Sequence, residues 1–319
     1  MYTIYYDSLT EATWFQELSP QLNDAEFKLI QRRGQNLQVV EELLTYDKPD
    51  IILLKNDKPV LVLEKTTEVP TGHNVGQRFA RLVRSIELGV LTVYYFPYDA
   101  RKHGKFSSLC NLNIRLIDAC LNIERIHGVP LLTVNWPADS DGELIMDGTE
   151  NKRISVLLND CIQHGFNDRS PEVVKQLKKM QEDYDERLKA FPNYGNLPPS
   201  VEKYKTHDFC KKYKIKDVDK SFAKREFTYV YKMVMTPEKC KRQDPYTGTQ
   251  FIYDYMVCRN GILPSDKKNN LVLHFPMLTK EIWFEKNPNN STSKSCNWYL
   301  TANGLLFKDV FFFNNLIRE

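Results

Sequence analysis

The sequence predicts an α/β protein with a mixed central sheet flanked by helices and a second, α+β lobe. Along residues 36–136, short runs rich in Ile, Leu and Val alternate with longer segments whose apolar residues recur at helical spacing. From about residue 200 the composition turns basic and aromatic. The chain has 319 residues, 42% of them apolar, which is enough for two domains of ordinary size.

The first part of the chain is predicted to follow the order α, β, β, α, β, α, β. We expect the first 45 residues to be mostly helical, ending in a helix over residues 36–45. Turn-forming residues 56–58 then join two strands as a hairpin. Helices are predicted from about Asn74 to Gly89 and over residues 106–126. The predicted strands are 51–55, 59–66, 91–96 and 130–136.

A domain boundary is predicted near residue 195. Serine as cap and proline in the first turn start a helix over residues 170–191. The segment 192–200, with three prolines and one glycine, has the composition of a linker. Strand-like runs follow at Phe227–Met235 and Asn270–Phe275. We therefore expect a catalytic domain over residues 1–195 and a second domain or lobe over 196–319.

The two parts differ in charge. Residues 1–199 carry 23 Lys and Arg against 28 Asp and Glu, whereas residues 200–319 carry 21 against 13. Such a split suits a catalytic part rich in carboxylates and a second part that meets a polyanion. Solvated lysine without any partner is the alternative explanation.

Several classes of protein are disfavoured. Seven cysteines, an odd number with no CxxC pair, predict reduced thiols instead of disulfides or zinc. No run of 18 apolar residues and no signal-like amino terminus occurs, so we expect a cytoplasmic protein without membrane contact. The motifs GxGxxG, GKT or GKS, HExxH and GxSxG are absent, which predicts no nucleotide cofactor, zinc protease or serine hydrolase.

Two carboxylates mark the predicted hairpin. Asp50 precedes its first strand, and Glu64 lies near the end of the second. Because paired strands lie about 5 Å apart, these side chains can approach each other. Mg²⁺ prefers hard oxygen ligands and often takes one or two carboxylates together with phosphate oxygens. The hairpin therefore predicts a Mg²⁺ site that acts on phosphate esters.

Residues 49–78 resemble the catalytic core of the PD-(D/E)xK nucleases, the superfamily that includes most type II restriction endonucleases. Pro49-Asp50 stands fourteen residues before Glu64, with Lys65 beside it and Gln77 at the start of the next helix. The resemblance implies an αβββαβ core over about residues 36–136. It also implies that Asp50 and Glu64 hold Mg²⁺, with Lys65 and Gln77 as further catalytic residues.

One feature departs from the family pattern, which places one residue between the acid and the lysine. Because strand side chains alternate, Glu64 and Thr66 share a face and Lys65 points away from it. Either a β-bulge re-aims Lys65, or Thr66 occupies the lysine position and another group replaces the lysine. Three substitutes are open: Lys55, Arg78 and Lys102.

Further residues are candidates for metal or DNA binding. Some members of the superfamily use an acid from the preceding helix, where Glu42 is a candidate third ligand and Glu41 its neighbour. Arginine is the preferred side chain for phosphate, which favours Arg78, Arg81 and Arg84 as DNA contacts. In the basic part, the predicted DNA-binding residues are Lys241, Arg242 and Gln243, with Gln250, Arg259 and Asn260 as further base readers.

The combined prediction is a Mg²⁺-dependent, site-specific endonuclease of double-stranded DNA. A palindromic target would call for a homodimer. The alternatives are another nuclease of this superfamily for repair, transposition or defence, a DNA-binding protein whose catalytic core has decayed, and a protein-interaction scaffold.

Overall fold

The computed structural model describes residues 1–32, 34–44, 48–69, 82–101, 127–190, 201–232, 236–240, 269–286 and 302–313, together with residues 117, 120, 121 and 124. The chain divides into two compact units, Met1–Gly195 and Asn196–Glu319. Each contains a mixed sheet and helices, so the predicted α/β class is confirmed. Because residues 196–199 are uncharged, the two units inherit the charge asymmetry of the sequence.

Unit 1 contains a six-stranded sheet. Its strands are β1 Tyr2–Tyr6, β2 Glu26–Leu29, β3 Ile51–Lys55, β4 Lys58–Lys65, β5 Leu91–Phe96 and β6 Leu131–Asn135. Its helices are α1 Leu9–Glu17, α2 Gln38–Leu43, α3 Asn151–His164 and α4 Pro171–Ala190, with a 3₁₀ turn at Pro20–Leu22. Residues 82–87 are helical, as are the described positions 117, 120, 121, 124 and 127.

The strands are arranged in the order β2-β1-β3-β4-β5-β6. Strand β3 is antiparallel to both β1 and β4, whereas β4, β5 and β6 are mutually parallel. The carboxyl ends of these three parallel strands therefore meet at one edge of the sheet. In open α/β sheets, this is the edge at which ligands usually bind.

The predicted hairpin forms, with a tighter turn than expected. Asn56 and Asp57 both have positive φ, at 52° and 61°, which matches the two-residue type I′ turn that asparagine and aspartate tolerate. Lys58 is already the first residue of β4. The pairing shifts register between Leu53 and Leu54 and runs regularly from there to Ile51 and Leu63.

The expectation that the first 45 residues are mostly helical is wrong. They contain β1 and β2 as well as α1 and α2. The segment Tyr2–Tyr6 combines β-branched and aromatic residues, which fit a half-buried sheet position, and it pairs with β3, a strand far away in the sequence. Helical propensity was outweighed here by long-range pairing. The strands predicted at 51–55 and 91–96 form over those same residues.

The two faces of the first sheet are covered differently. On one face, α2 packs through Val40 and Leu43 against Ile52 and Val62. On the other face, Trp14 of α1 stacks on Tyr95 at 6.1 Å between ring centroids, and Tyr95 stacks on Trp136 at 4.8 Å. The sheet thus separates the core around α2 from an aromatic layer formed by Trp14, Tyr95 and Trp136.

Unit 2 contains a five-stranded sheet in the order β11-β10-β9-β8-β7. Its strands are β7 Val201–Lys205, β8 Phe227–Lys232, β9 Asn269–Phe275, β10 Gly304–Phe307 and β11 Phe311–Phe313. Its helices are α5 Thr206–Lys212, α6 Lys220–Ala223, α7 Pro237–Cys240 and α8 Lys280–Lys286. Phe209 and Phe222 from two of these helices pack with Val230 and Val272 of the sheet.

Two further findings concern the cysteines and the apolar character of the helices. Cys161 and Cys210 are free thiols, and burial raises the pKa of the Cys161 thiol to about 12. In the part of the chain that the structure describes, no helix is both long and apolar enough to span a membrane.

Candidate functional site

Asp50 and Glu64 both lie at the open end of the hairpin. Ile51 and Leu63 are the last Cα partners of β3 and β4, so Asp50, which precedes β3, and Glu64 are each one residue beyond this pair. The backbone N–H of Lys65 donates to Oδ2 of Asp50 at 2.6 Å, which holds the aspartate carboxylate against the end of β4.

Both carboxylates are removed from bulk water. Asp50 is 9% exposed and Glu64 1% exposed. Glu64 also lies beside Tyr94, its Cα partner on the parallel strand β5, which is 1% exposed. Buried carboxylates cost free energy unless charge or hydrogen bonds compensate them, and the Lys65 N–H supplies one such hydrogen bond to Asp50.

Lys65 points to the opposite face of the sheet from Glu64. Its Nζ lies 4.3 Å from the ring centroid of Trp14 and 5.5 Å from that of Trp136, within the aromatic layer. Burial lowers the pKa of the Lys65 ammonium, although the nearby carboxylates of Glu11, Asp50 and Glu150 act to raise it. The side chain is therefore a half-buried cation between aromatic rings.

The structure favours one of the two explanations for the shifted lysine. The pairing of β4 with β5 is regular from Leu61 to Lys65, and no bulge lies between Glu64 and Lys65. Thr66 follows on the face of Glu64, is 7% exposed and accepts a hydrogen bond from the Glu68 N–H at 3.0 Å. Thr66 therefore occupies the position that the family pattern gives to lysine.

Lys55, one of the three predicted substitutes for that lysine, is at the far end of β3, with its Nζ 5.7 Å from the Tyr2 ring centroid.

The two glutamates of α2, Glu41 and Glu42, make different contacts. Glu41 accepts hydrogen bonds from the N–H groups of Gly34 and Asn36 at 2.8 and 2.9 Å. Burial alone would raise the pKa of the Glu41 carboxyl, but these hydrogen bonds outweigh it and lower the pKa. Glu42 is exposed, and its carbonyl oxygen accepts from Nε of Arg84 at 3.0 Å.

A three-residue metal group is not formed by these acids. Among the residues that the structure describes, no three His, Cys, Asp or Glu side chains are grouped as a metal site, so Glu42 is not brought into one with Asp50 and Glu64. Arg84 pairs with Glu87 at 3.2 Å, which assigns it a structural contact.

Many of the predicted residues lie outside the described part of the chain. They are Gln77, Arg78, Arg81, Lys102, Lys241, Arg242, Gln243, Gln250, Arg259 and Asn260. Their roles remain predictions from the sequence.

Sequence reasoning missed the groups that surround Lys65. Glu11 comes from α1 and Glu150 from the residue before α3, and both act electrostatically on the Lys65 ammonium. Trp14 is fixed by a hydrogen bond from its Nε1 to Oδ1 of Asn151 at 2.8 Å. These residues are far apart in the sequence and follow no spacing rule, so only the fold reveals that they converge.

Comparison of the chain with protein-family models, with curated proteins and with solved structures finds no match. The chemistry of the site has to be inferred from its own geometry.

Proposed function

We propose that the protein is a Mg²⁺-dependent endonuclease of the PD-(D/E)xK type that cuts double-stranded DNA. The observation that supports this most is the position of the buried Asp50 and Glu64, each one residue beyond the Ile51–Leu63 pair at the open end of the β3–β4 hairpin. The Asp50 carboxylate is bound there to the backbone N–H of Lys65. Both acids lie at the edge where the parallel strands β4, β5 and β6 end, the usual ligand-binding edge of such sheets.

The donor set fits Mg²⁺. Two carboxylates supply hard oxygen atoms, and an octahedral ion leaves room for water and phosphate oxygens. Asp50 and Glu64 are the residues that would hold the ion.

The protein's own groups position the reacting parts. The Lys65 N–H orients the Asp50 carboxylate, and the strand backbone fixes Glu64 beside it. A Mg²⁺ ion bound there supplies Lewis acidity toward the phosphate and a lowered pKa for bound water. The lysine of the family pattern would normally stabilise charge on the attacking water, and here Thr66 takes its place without offering a positive charge.

The basic composition of unit 2 supports a role in DNA binding. Residues 200–319 have eight more basic than acidic side chains, and exposed lysines attract phosphate in a sequence-independent way. Site-specific cleavage of the restriction-enzyme kind, homodimerisation on a palindromic target and a cytoplasmic location are the finer parts of the same proposal.

A second candidate function is DNA binding without cleavage. Lys65 faces away from Glu64 and is enclosed by Trp14 and Trp136, as a decayed nuclease core would allow. The two proposals share the DNA and differ in the chemistry.

The decisive experiment incubates supercoiled plasmid with the full chain and Mg²⁺. We expect cleavage that Asp50→Asn and Glu64→Gln each reduce by about 10²-fold or more, as loss of a charged transition-state contact does. Asp57→Asn, in the turn at the other end of the same hairpin, is the matched control and should cut like the wild type.

The outcomes separate the two proposals. Intact plasmid together with salt-dependent DNA binding would support the decayed core. Absence of both cleavage and DNA binding would contradict both functions.

A further inference from the structure

Unit 1 also has a cavity beside the carboxyl end of β6. The cavity has a volume of about 800 Å³ and is lined by Val134 and Asn135 of β6 together with residues of α3 and α4. Ligand pockets for small organic molecules typically measure about 300–1,000 Å³. The cavity is therefore large enough for a molecule of nucleotide size.

Three cations in the cavity wall form no ion pair with any residue that the structure describes. Lys175 pairs with Glu172 at 3.1 Å and Lys178 with Glu182 at 3.8 Å. The remaining cations of the wall are Lys152, Arg153 and Lys179. Arginine and lysine side chains outside ion pairs, gathered in one concave wall, can bind phosphate.

Arg153 is held in place by a buried residue. Its Nη2 donates to Oε1 of Gln176 at 2.8 Å, and Gln176, only 6% exposed, donates from Nε2 to the carbonyl oxygen of Thr133 on β6. The guanidinium is thus fixed to the sheet through one intermediate side chain. A fixed guanidinium loses less conformational entropy when it binds an anion.

The rest of the wall offers complementary chemistry. Val156, which is 45% exposed, and Pro137 both line the cavity and provide apolar surface for a ring. The carboxylates of Glu150 and Asp183 can accept hydrogen bonds from hydroxyl or amino groups. Glu150 also acts electrostatically on the Lys65 ammonium.

We propose that this cavity binds the phosphate and base of a nucleotide, with Arg153 and Lys179 on the phosphate. The phosphate assignment depends on the cavity alone. The choice of a nucleotide over another organic phosphate rests on the proposed nuclease function. The nucleotide is either free or one unit of a DNA strand, and the chemistry of recognition is the same for both.

Calorimetric titration of the full chain tests the proposal, without Mg²⁺ so that no cleavage occurs. The probes are the four deoxynucleoside 5′-monophosphates, inorganic phosphate and a short single-stranded oligonucleotide. We expect saturable binding of at least one monophosphate, weakened about tenfold by Lys179→Gln and by Arg153→Gln, in line with loss of one charge-assisted hydrogen bond. Lys189→Gln, an exposed lysine of α4 outside the cavity, is the matched control.

The results distinguish the sources and the proposals. Weaker binding of the oligonucleotide by the same variants would identify a unit of a strand as the occupant, and unchanged oligonucleotide binding would identify the free nucleotide. Absence of monophosphate binding, or equal binding by all variants, would overturn the proposal. If the protein binds a monophosphate but does not cut DNA, the cavity proposal is supported and only the nuclease proposal is refuted. Arg153→Gln also removes the hydrogen bond to the buried Gln176, so it affects packing as well as phosphate binding. Lys179→Gln is therefore the variant that tests phosphate binding separately from folding.

Discussion

The buried polar groups of the two units differ in charge. In unit 2, Asn270 donates from Nδ2 to the Phe222 carbonyl at 3.0 Å and to Oγ1 of Thr228 at 3.2 Å, so its buried polar cluster is neutral. In unit 1, Asp50 and Glu64 are buried carboxylates, each one residue beyond the Ile51–Leu63 pair. Neutral groups that bond one another stabilise a fold, whereas adjacent buried carboxylates indicate a functional site.

The units also differ in the charge of their surfaces. Unit 1 has five more acidic than basic residues, and unit 2 has eight more basic than acidic ones. Both contain parallel strands, β4 to β6 in the first and β8 to β10 in the second. The two sheets are therefore of a similar class, and the units differ in their net charge.

The largest expected effect concerns the independence of the two cores. Phe209, fully buried among Tyr213, Phe222 and Phe311, anchors unit 2, and Phe96, stacked 3.9 Å from Tyr94, anchors unit 1. Phe209→Ala and Phe96→Ala should each lower the free energy of unfolding by about 3–5 kcal/mol. Amide hydrogen exchange should show loss of protection only in the unit that carries the change.

Loss of protection across both units from either substitution would contradict this. It would mean that the two units unfold as one cooperative body.

A smaller effect is expected for DNA affinity. Replacing the exposed lysines of unit 2 at positions 205, 211 and 216 with glutamine should weaken DNA binding by about tenfold near 0.1 M salt. The slope of log K against log salt should become shallower by about two to three. Fluorescence anisotropy with a labelled duplex at several salt concentrations measures both quantities.

The matched control replaces exposed lysines of unit 1 at positions 55, 58 and 189. If this control changed the slope more than the unit 2 variant, the assignment of the polyanion-binding role to unit 2 would be wrong.

The smallest expected effect is a dependence of the stability of unit 2 on pH. Burial lowers the pKa of His274 from its ordinary value of 6.5, the cations Lys232 and Lys212 lower it further, and Glu202 opposes them. The unfolded chain therefore binds a proton more readily than the folded one. Stability should fall as the pH drops below about 6.5 toward the lower pKa of the folded state.

His274→Gln should flatten that dependence in thermal unfolding measured between pH 5 and 7.5. His207→Gln, at an exposed histidine of α5, is the matched control. An equally steep loss of stability in His274→Gln would show that other groups cause it.

The sequence was most informative where a signal is local. The hairpin around Asn56 and Asp57, the strand at 91–96 and the helix that starts at Pro171 all follow from turn residues, apolar runs or a proline cap. The approach of Asp50 and Glu64 also follows, because hairpin register fixes which residues face each other.

Long-range contacts could not be predicted from the sequence. Strand β1 could not be recognised as a strand because its partner β3 lies about fifty residues away. The choice between Lys65 and Thr66 needed the observed regularity of β4 against β5.

The sequence by itself determined the α/β class, the alternation that sends Glu64 and Lys65 to opposite faces, and the pair of carboxylates at the hairpin end. The tertiary structure alone decided that Trp14, Trp136, Glu11 and Glu150 surround Lys65, and that α3 and α4 enclose a cavity at the end of β6. The physical reason is that periodicity and register act within one element or one hairpin. The convergence of separate elements depends instead on how their apolar faces pack.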